Sequence, residues 1–299
     1  MGTDMRVLVT GWPSFLHGEA TAGDVLSMSR VCDALASAAI PHDTAWSPGF
    51  RSDAMHLDDA DSGRYSHLVF VCGPAHGEQV RFLHERYANC RRIAVGVSVL
   101  DPADAAVTGF HRILPRDSPS VARPDIAVGA STVSVPVVGV VFAPGQAEYG
   151  MARRHRSVHR ALLRWLRELD CARLPLDTRL TSDDWRLCRT PDQLASVFAR
   201  LDAVITTRLH GLVLGLRAGI PVLAVDPIAG GGKVTAQAKA LDWPALVPAE
   251  QTADAGAFDQ WWRWCLAPAG REHARRREFP AADALTSDLL DELLAGRPA

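Results

Sequence analysis

Short apolar runs rich in β-branched residues recur along the chain, separated by segments long enough to form helices. Several runs lack polar alternation, the pattern of strands buried on both faces of a parallel sheet. The predicted strands are Val7–Thr10, Leu68–Cys72, Ile93–Val99, Val135–Phe142, Ala203–Thr206 and Pro221–Val225. The predicted helices are Gly23–Ala39, Gln79–Asn89, Val158–Leu169, Pro191–Leu201 and Leu209–Ala218. This alternation predicts the α/β class, with doubly wound layers.

The stretch Arg123–Pro136 contains a proline, a glycine and small or hydroxylated residues directly before a new valine-rich strand. At 299 residues the chain is long for one core, because single cores stop growing at roughly 250 to 300 residues. We therefore expect two Rossmann-like domains, residues 1–133 and 134–299, that face a central cleft as in GT-B glycosyltransferases. In such sheets ligands bind beyond the carboxyl ends of the strands.

The composition, with 47% apolar and 22% charged residues and a net charge of −2, is that of an ordinary globular chain. It gives no indication of nucleic-acid binding. One predicted helix is rich in arginine, but its interleaved leucines and tryptophan form a core face. No stretch reaches the ~18 to 20 apolar residues of a membrane-spanning helix, so we expect at most peripheral membrane association. Lys233 is conspicuous because Lys239 is the only other lysine.

The six cysteines are scattered, with no CxxC pair and no metal-ligand spacing. They indicate free thiols in a reducing compartment. The first predicted strand begins almost at once and leaves no room for a signal peptide. We expect a cytoplasmic protein without a metal site; nothing in the pattern predicts an oligomeric state.

The segment Leu201–Val225 predicts a strand, a tight turn, a helix, a second turn and a strand. The first turn falls on Thr207–Gly211, where unpaired N–H groups and the helix dipole favour an anion. Arg208 offers a planar fork of donors, His210 can transfer a proton near neutral pH, and Gly211 permits close approach. The alternative is structural, with an internal salt bridge for Arg208 and a helix cap for His210. The position at the carboxyl end of a strand favours function.

The run from Asp202 to Val225 resembles the carboxyl-terminal signature of the polysaccharide pyruvyl transferase family. That signature is an aspartate after a helix, a strand, Thr/Ser-x-Arg-x-His-Gly, a small-residue helix, Gly-x-Pro and another strand. The family typically has a lysine in the loop after that strand, and Lys233 fits this place. The preceding glycines, Gly230–Gly232, would let the loop wrap around a phosphate.

A weaker resemblance extends over the amino-terminal half. Thr21–Asp24 looks like the family's Asn-x-Gly-Asp element, and Leu114–Ser120 looks like its Val-Arg-Asp-x-x-Ser element. Asp24 either holds an acceptor hydroxyl or caps the first helix. Arg116 either reaches the cleft as an anion ligand or pairs locally with Asp117.

The chain departs from the family in the turn after its second predicted strand. Where the family usually has a Gly-Gly-Gly run, the chain has Cys72-Gly73-Pro74-Ala75-His76-Gly77. Since the resemblance implies that the acceptor binds mainly to the amino-terminal domain, acceptor identity stays open. His17 and His76, near predicted strand ends, either belong to an altered acceptor site or are structural.

The resemblance implies that phosphoenolpyruvate, a co-substrate and not a cofactor, gives its pyruvyl group to two hydroxyls of a sugar-containing acceptor. Phosphate would be released, and enolpyruvyl transfer shares the first step. His210 would be the general acid or base. The implied catalytic residues are His210, Arg208 and Lys233. The implied donor-binding residues are Thr207, Arg208, Gly211, Lys233 and Arg116. The implied acceptor-binding residues are Asp24, His17 and His76.

Two other functions remain open. A nucleotide-sugar-dependent glycosyltransferase could use the same architecture, with Arg208 and Lys233 on a diphosphate, because a fold does not fix chemistry. A non-catalytic sugar- or anion-binding relative is the second, and the altered turn at Cys72–Gly77 is its best support. By analogy with two-domain glycosyltransferase-like folds, the predicted last helix, Ala282–Leu294, could brace the amino-terminal domain.

Overall fold

The computed structural model describes residues 5–16, 20–275 and 284–295. Its internal contacts divide the chain into two compact units, Met1–Val133 and Ser134–Ala299. Each unit contains its own sheet of mainly parallel strands with helices between them, which confirms the predicted α/β class. The predicted cleft between two domains, and the roles of the two units, stay predictions.

The sheet of the first unit has the strand order β2-β1-β3-β4-β5-β6. Its strands are β1 Val7–Gly11, β2 His42–Thr44, β3 His67–Val71, β4 Arg91–Ser98, β5 Arg112–Ser118 and β6 Val121–Ala122. Neighbouring strands pair in parallel except β5 and β6, which pair antiparallel. The helices are α1 Ala22–Ser37, α2 Glu78–Arg86 and α3 Ala105–Thr108.

The central strands of this sheet are buried on both faces. Successive side chains of a strand point to opposite sides, so β3 places Leu68 and Phe70 on one face and Val69 and Val71 on the other. The first pair packs in the cluster that holds α2 and α3 residues, whereas the second pair packs with Met28 of α1. Two helical layers therefore cover the sheet, which explains why its strands lack polar alternation.

The sheet of the second unit has the order β11-β10-β9-β7-β8, with every neighbouring pair parallel. Its strands are β7 Val137–Val141, β8 Ala172–Leu176, β9 Ala203–Thr206, β10 Val222–Val225 and β11 Leu246–Val247. Its helices are α4 His155–Glu168, α5 Pro191–Phe198, α6 Leu209–Arg217, α7 Lys233–Ala240, α8 Ala255–Leu266, α9 Pro268–Arg275 and α10 Ala284–Ala295. Short 3-10 turns lie at Trp12–Ser14, Leu57–Asp59, Ser62–Arg64, Ile126–Gly129, Ala147–Ala152 and Ala249–Gln251.

Helix α4 shows how the core of the second unit is assembled. Val158, Leu162, Trp165 and Leu166 recur at helical spacing and are buried, so they form one apolar stripe against the core. The arginines of this helix lie on its exposed side. The core-face interpretation of the arginine-rich helix is therefore confirmed.

Helix α10 is exposed along all of its described length. The prediction that it braces the amino-terminal domain stays a prediction, and residues 282 and 283 of the predicted helix lie outside the described residues. Within the described chain, no helix has the length and apolar character needed to cross a bilayer.

Candidate functional site

The strand order of the second sheet places a switch point between β7 and β9. From β7 the chain adds β8 on one side and then returns to add β9 on the other. At such a switch point the loops that leave the two strands turn apart, and α/β sheets bind ligands in the crevice beyond their carboxyl ends. Here those loops begin at Phe142 and Thr207.

Thr207 ties the two loops together. Its backbone N–H donates to Val141 O at 3.0 Å, and its hydroxyl accepts a bond of 2.8 Å from the N–H of Ala143. The same hydroxyl lies 3.1 Å from His159 Nε2. Thr207 is buried, so its hydroxyl holds the two loops together. Its direct contact with the donor substrate stays a prediction.

The turn into α6 is fixed by Thr206 and Gly211. The hydroxyl of Thr206 accepts a 2.9 Å bond from the N–H of Arg208 and lies within 3.1 Å of the carbonyl oxygens of Val141 and Arg208. A Cβ atom on Gly211 would overlap this hydroxyl, so only glycine lets α6 start this close to β9. Gly211 therefore permits a close approach between backbone and strand.

Arg208 is held in an ion pair. Its Nη1 donates to Asp177 Oδ1 at 2.8 Å, while Arg179 Nε donates to the other oxygen, Oδ2, at 2.7 Å. Burial alone would raise the pKa of Asp177, but the bonds from Arg179 and the charge of Arg208 lower it. Asp177 thus stays ionised and fixes Arg208. Within the described residues, Arg208 Nε and Nη2 have no hydrogen-bond partner.

His210 is the second residue of α6 and is exposed. Its ring makes no hydrogen bond or ion pair with any described residue. It follows Arg208 by two positions at the carboxyl end of β9, so both side chains leave the same turn. An exposed imidazole there is accessible to a substrate proton, as a general acid or base must be.

The loop after β10 is organised by the buried carboxylate of Asp226. Its Oδ1 accepts from Ile228 N–H at 3.0 Å, and its Oδ2 accepts from the N–H groups of Gly232 and Thr235 at 2.7 and 2.8 Å. These bonds fold the glycine loop back onto the strand end and place Lys233 as the first residue of α7. The Nζ of Lys233 lies 4.0 Å from Glu148 and is partly exposed.

Two histidines at the start of α4 also lie at this edge of the sheet. His159 stacks on Phe142, with ring centroids 4.7 Å apart, and reaches Thr207. His155, the first residue of α4, stands perpendicular to His159 at 5.8 Å. Burial, followed by the charge of Arg153, lowers the pKa of His155, and burial lowers that of His159.

Four residues of this region were not predicted from the sequence: His155, His159, Asp177 and Asp226. Asp177 and Asp226 directly follow β8 and β10. An acidic residue immediately after a strand therefore could have identified them as candidate site residues. The histidines are four residues apart and share one helix face, but no apolar periodicity marks the turn that holds His155.

The first unit has its own switch point, between β1 and β3. There the Nε1 of Trp12 donates to Pro74 O at 3.2 Å, and its ring covers Gly73, where a Cβ atom would overlap the indole. Cys72 and Gly73 have φ values of 62° and 69°, the left-handed region that glycine favours. The altered turn therefore keeps a glycine-like backbone although a cysteine occupies one position.

Two of the candidate acceptor residues of the first unit, Asp24 and His76, are engaged locally. Thr21 caps α1 by accepting from Asp24 N–H, and its hydroxyl donates to Asp24 Oδ2 at 2.7 Å. His76 follows β3, is 63% exposed, and its Nδ1 bonds to Asp104. His17 lies outside the described residues. Binding of an acceptor by these side chains stays a prediction.

Arg116 on β5 has partners for all three guanidinium nitrogens. Nε donates to Asp117 at 2.6 Å, Nη1 to Asp125 at 2.7 Å and Nη2 to the hydroxyl of Ser98 at 2.7 Å. The hydrogen bond to Asp117 is the first cause of the raised pKa of Arg116. The local pairing with Asp117 is thus present, and the carboxylates of Asp117 and Asp125 balance the positive charge of Arg116. Contact between Arg116 and the donor substrate stays a prediction.

The site also matches a known family. Residues 151–227 match the family model described as polysaccharide pyruvyl transferase. The matched segment runs from the residues before α4 to the start of the loop after β10, so it contains Arg208 and His210. It stops before Lys233. The match to pyruvyl transferases indicates a transferase domain in the second unit.

Solved structures align with most of this chain at low sequence identity. Spinosyn forosaminyltransferase SpnP is 14% identical, with 97% of this chain and 99% of that chain covered and a TM-score of 0.34. Glycosyltransferase SnogD from Streptomyces nogalater is 14% identical, with 97% and 99% covered and a TM-score of 0.31. E. coli heptosyltransferase WaaC with ADP is 12% identical, with 91% and 100% covered and a TM-score of 0.28. No curated protein sequence matches the chain significantly.

Proposed function

We propose that the protein transfers the pyruvyl group of phosphoenolpyruvate to hydroxyls of a sugar-containing acceptor and releases phosphate. The observation that carries the proposal is the position of Arg208 and Lys233. They follow the carboxyl ends of the neighbouring strands β9 and β10 of the second sheet, and both side chains remain partly accessible. The family match over residues 151–227 supports the same chemistry.

Two cations at this edge suit the two anionic groups of the donor. The free Nε and Nη2 of Arg208 form a planar pair of donors, which fits the carboxylate in a two-point contact. Lys233, at the N-terminus of α7 behind a glycine loop, fits the phosphoryl group. The pairing of Arg208 with Asp177 sets its direction before the donor arrives.

The reaction requires one proton to be gained and two to be lost. A general acid protonates the methylene carbon of phosphoenolpyruvate, so that C2 becomes electrophilic and an acceptor hydroxyl forms the first C2–O bond. The bond from C2 to the phosphate oxygen breaks and phosphate leaves with both electrons. A second hydroxyl then attacks C2 and closes the ketal. His210 takes part in one of these proton transfers, while Lys233 stabilises the departing phosphate.

The proposed function is tested by incubating the protein with phosphoenolpyruvate and a panel of sugar acceptors bearing neighbouring hydroxyls. Released phosphate is measured together with the mass of the acceptor product. We expect equal amounts of phosphate and of a product that carries the pyruvate ketal. The variant Arg208→Lys keeps the charge but removes the fork, and we expect it to lose most of the activity. A glycosylated acceptor formed from a nucleotide-sugar, without use of phosphoenolpyruvate, would contradict the proposal and favour a glycosyltransferase.

We further propose a cytoplasmic location, supported by the cysteines, which are all free. A fractionation that finds the protein outside a reducing compartment would contradict this.

A further inference from the structure

His155 is a buried polar side chain without partners. It is 7% exposed, and neither Nδ1 nor Nε2 forms a hydrogen bond with any described residue. Most buried polar side-chain atoms in proteins have a partner, and an unsatisfied one destabilises the fold. The ring is therefore poised for a partner that binds from outside the chain.

The surroundings of His155 belong to the loop after β10. Arg154 N–H donates to Pro227 O and Ala229 N–H donates to Ala152 O, both at 2.8 Å, so the chain before α4 is fastened to that loop. The charges that act on His155 come from Arg153, Lys233, Asp226 and Glu148. Asp226 uses its oxygens on three backbone N–H groups of the loop. Lys233 faces Glu148 at 4.0 Å, and Arg153 Nε donates to the carbonyl oxygen of Gly150 at 3.0 Å, so both cations lie in this junction.

The start of α4 adds N–H donors at the same place. The helix has 14 residues, and Arg154 at its N-cap provides no side-chain cap. The first N–H groups of a helix have no partner within it, and the helix dipole favours a negative charge beside them. The N-terminus of α7, after the loop of Gly230–Gly232, is instead capped by Asp226, whose Oδ2 accepts from the N–H of Thr235. The N-terminus of α4 therefore suits a phosphate.

We propose that His155 binds a phosphoryl group at the junction between the N-terminus of α4 and the loop of residues 226–233. One ring N–H donates to a phosphoryl oxygen, while Lys233 supplies the positive charge. Arg208, which follows β9, takes the carboxylate. The identification of this phosphoryl group as that of phosphoenolpyruvate rests on the proposed function. The existence of the phosphate site does not depend on it.

The inference is tested with the full chain by calorimetry, with inorganic phosphate and pyruvate as separate probes. The variant His155→Phe keeps a ring but removes its hydrogen-bonding atoms, and we expect phosphate affinity to fall by roughly tenfold or more. His155→Gln keeps an N–H donor and should retain part of the affinity. Pyruvate affinity should be unchanged by either substitution but lost in Arg208→Ala. His273→Gln, on α9, serves as the matched control and should bind both probes normally.

Equal phosphate affinity in wild type and a folded His155→Phe variant would overturn the inference, as would a wild-type protein that does not bind phosphate. If the phenylalanine variant does not fold, the wild type labelled with 15N-histidine decides the matter. The ring nitrogens of His155 should shift on addition of phosphate, and unchanged shifts would overturn the inference. If phosphate binding depends on His155 but no pyruvyl transfer occurs, the proposed function fails and this inference stands.

Discussion

Arg208 Nη1 donates a 2.8 Å hydrogen bond to Asp177 Oδ1 across the end of β7, which lies between their two strands. The two residues are 31 positions apart in the chain. Arg179 holds the second oxygen of Asp177, so the carboxylate is fixed on both sides. The guanidinium is thereby directed before any ligand binds, which reduces the entropy lost on binding.

Replacement of Asp177 by alanine should free the Arg208 side chain. We expect the affinity for pyruvate to fall by roughly tenfold, because a correctly placed binding group becomes mobile. Asp177→Asn still offers an oxygen acceptor to Arg208 and should restore most of the affinity. Calorimetry with pyruvate measures both. Tighter binding by the alanine variant would mean that Asp177 competes with the ligand and does not position Arg208.

Gly211→Ala should disturb the turn between β9 and α6. The added Cβ would overlap the Thr206 side chain, and overpacking of this kind typically costs about 1 to 3 kcal/mol. Gly145→Ala is the matched control, since nothing lies near its added Cβ, and its effect should stay within about 0.5 kcal/mol. Urea unfolding gives both free energies. An equal effect of the two substitutions would contradict the packing argument.

Asp226→Asn should loosen the glycine loop. Asparagine presents an NH₂ group where Asp226 has an oxygen, so at least one N–H of Gly232, Thr235 or Ile228 loses its acceptor. We expect a loss of about 1 to 3 kcal/mol in the free energy of unfolding, together with weaker phosphate binding. Asp183→Asn, at an exposed position, should change neither quantity. Normal phosphate binding by Asp226→Asn would show that the loop of residues 226–233 does not contribute to the phosphate site.

The stability of the second unit should decrease in mild acid. The pKa values of His155 and His159 are lowered in the folded protein, chiefly by burial. An unfolded histidine titrates near pH 6.5, so below that pH the unfolded state takes up protons that the folded state does not. The free energy of unfolding should therefore be highest above about pH 6.5 and fall as the pH drops towards about 5.

Urea unfolding at several pH values, followed by tryptophan fluorescence, measures this dependence. All tryptophans except Trp12 and Trp46 lie in the second unit, so the signal reports mainly on it. The double variant His155→Gln/His159→Gln should show a weaker decline than the wild type. An equal decline in both proteins would mean that other groups cause it.

Chelation should leave turnover unchanged. In the proposed reaction Arg208 and Lys233 hold the two anionic groups of the donor, so the charge stabilisation that a metal ion often provides comes from side chains. Phosphate release from phosphoenolpyruvate is compared before and after treatment with EDTA. Loss of activity that Mg²⁺ or Mn²⁺ restores would contradict this prediction.

The buried strands could be predicted closely from the sequence. The prediction for β9, Ala203–Thr206, is the observed strand, and the predictions for β1 and β10 differ by one residue at one end. These strands lie inside the sheets, where burial on both faces requires continuous apolar runs. By contrast, β8 was missed. It is an exposed edge strand that contains Arg173 and Pro175, and an edge position tolerates proline.

The site was predictable only where its residues are close together in the sequence. The turn at Thr207–Gly211 is contiguous, so its residues could be identified together. Asp177 lies far away in sequence and reaches Arg208 only because β8 and β9 pair with the two sides of β7. His155 was missed because the predicted helix began at Val158, the first residue with apolar periodicity, whereas α4 begins with a polar turn.

The most direct test of the central claim is calorimetric binding of phosphoenolpyruvate, with UDP-, GDP- and CMP-sugars as competitors. Wild type is compared with Arg208→Ala and Lys233→Ala, and Lys239→Ala serves as the control at the other lysine. We predict that phosphoenolpyruvate binds the wild type and the control, that both site variants lose it, and that no nucleotide-sugar displaces it. Absence of phosphoenolpyruvate binding together with clear affinity for one nucleotide-sugar would contradict the account.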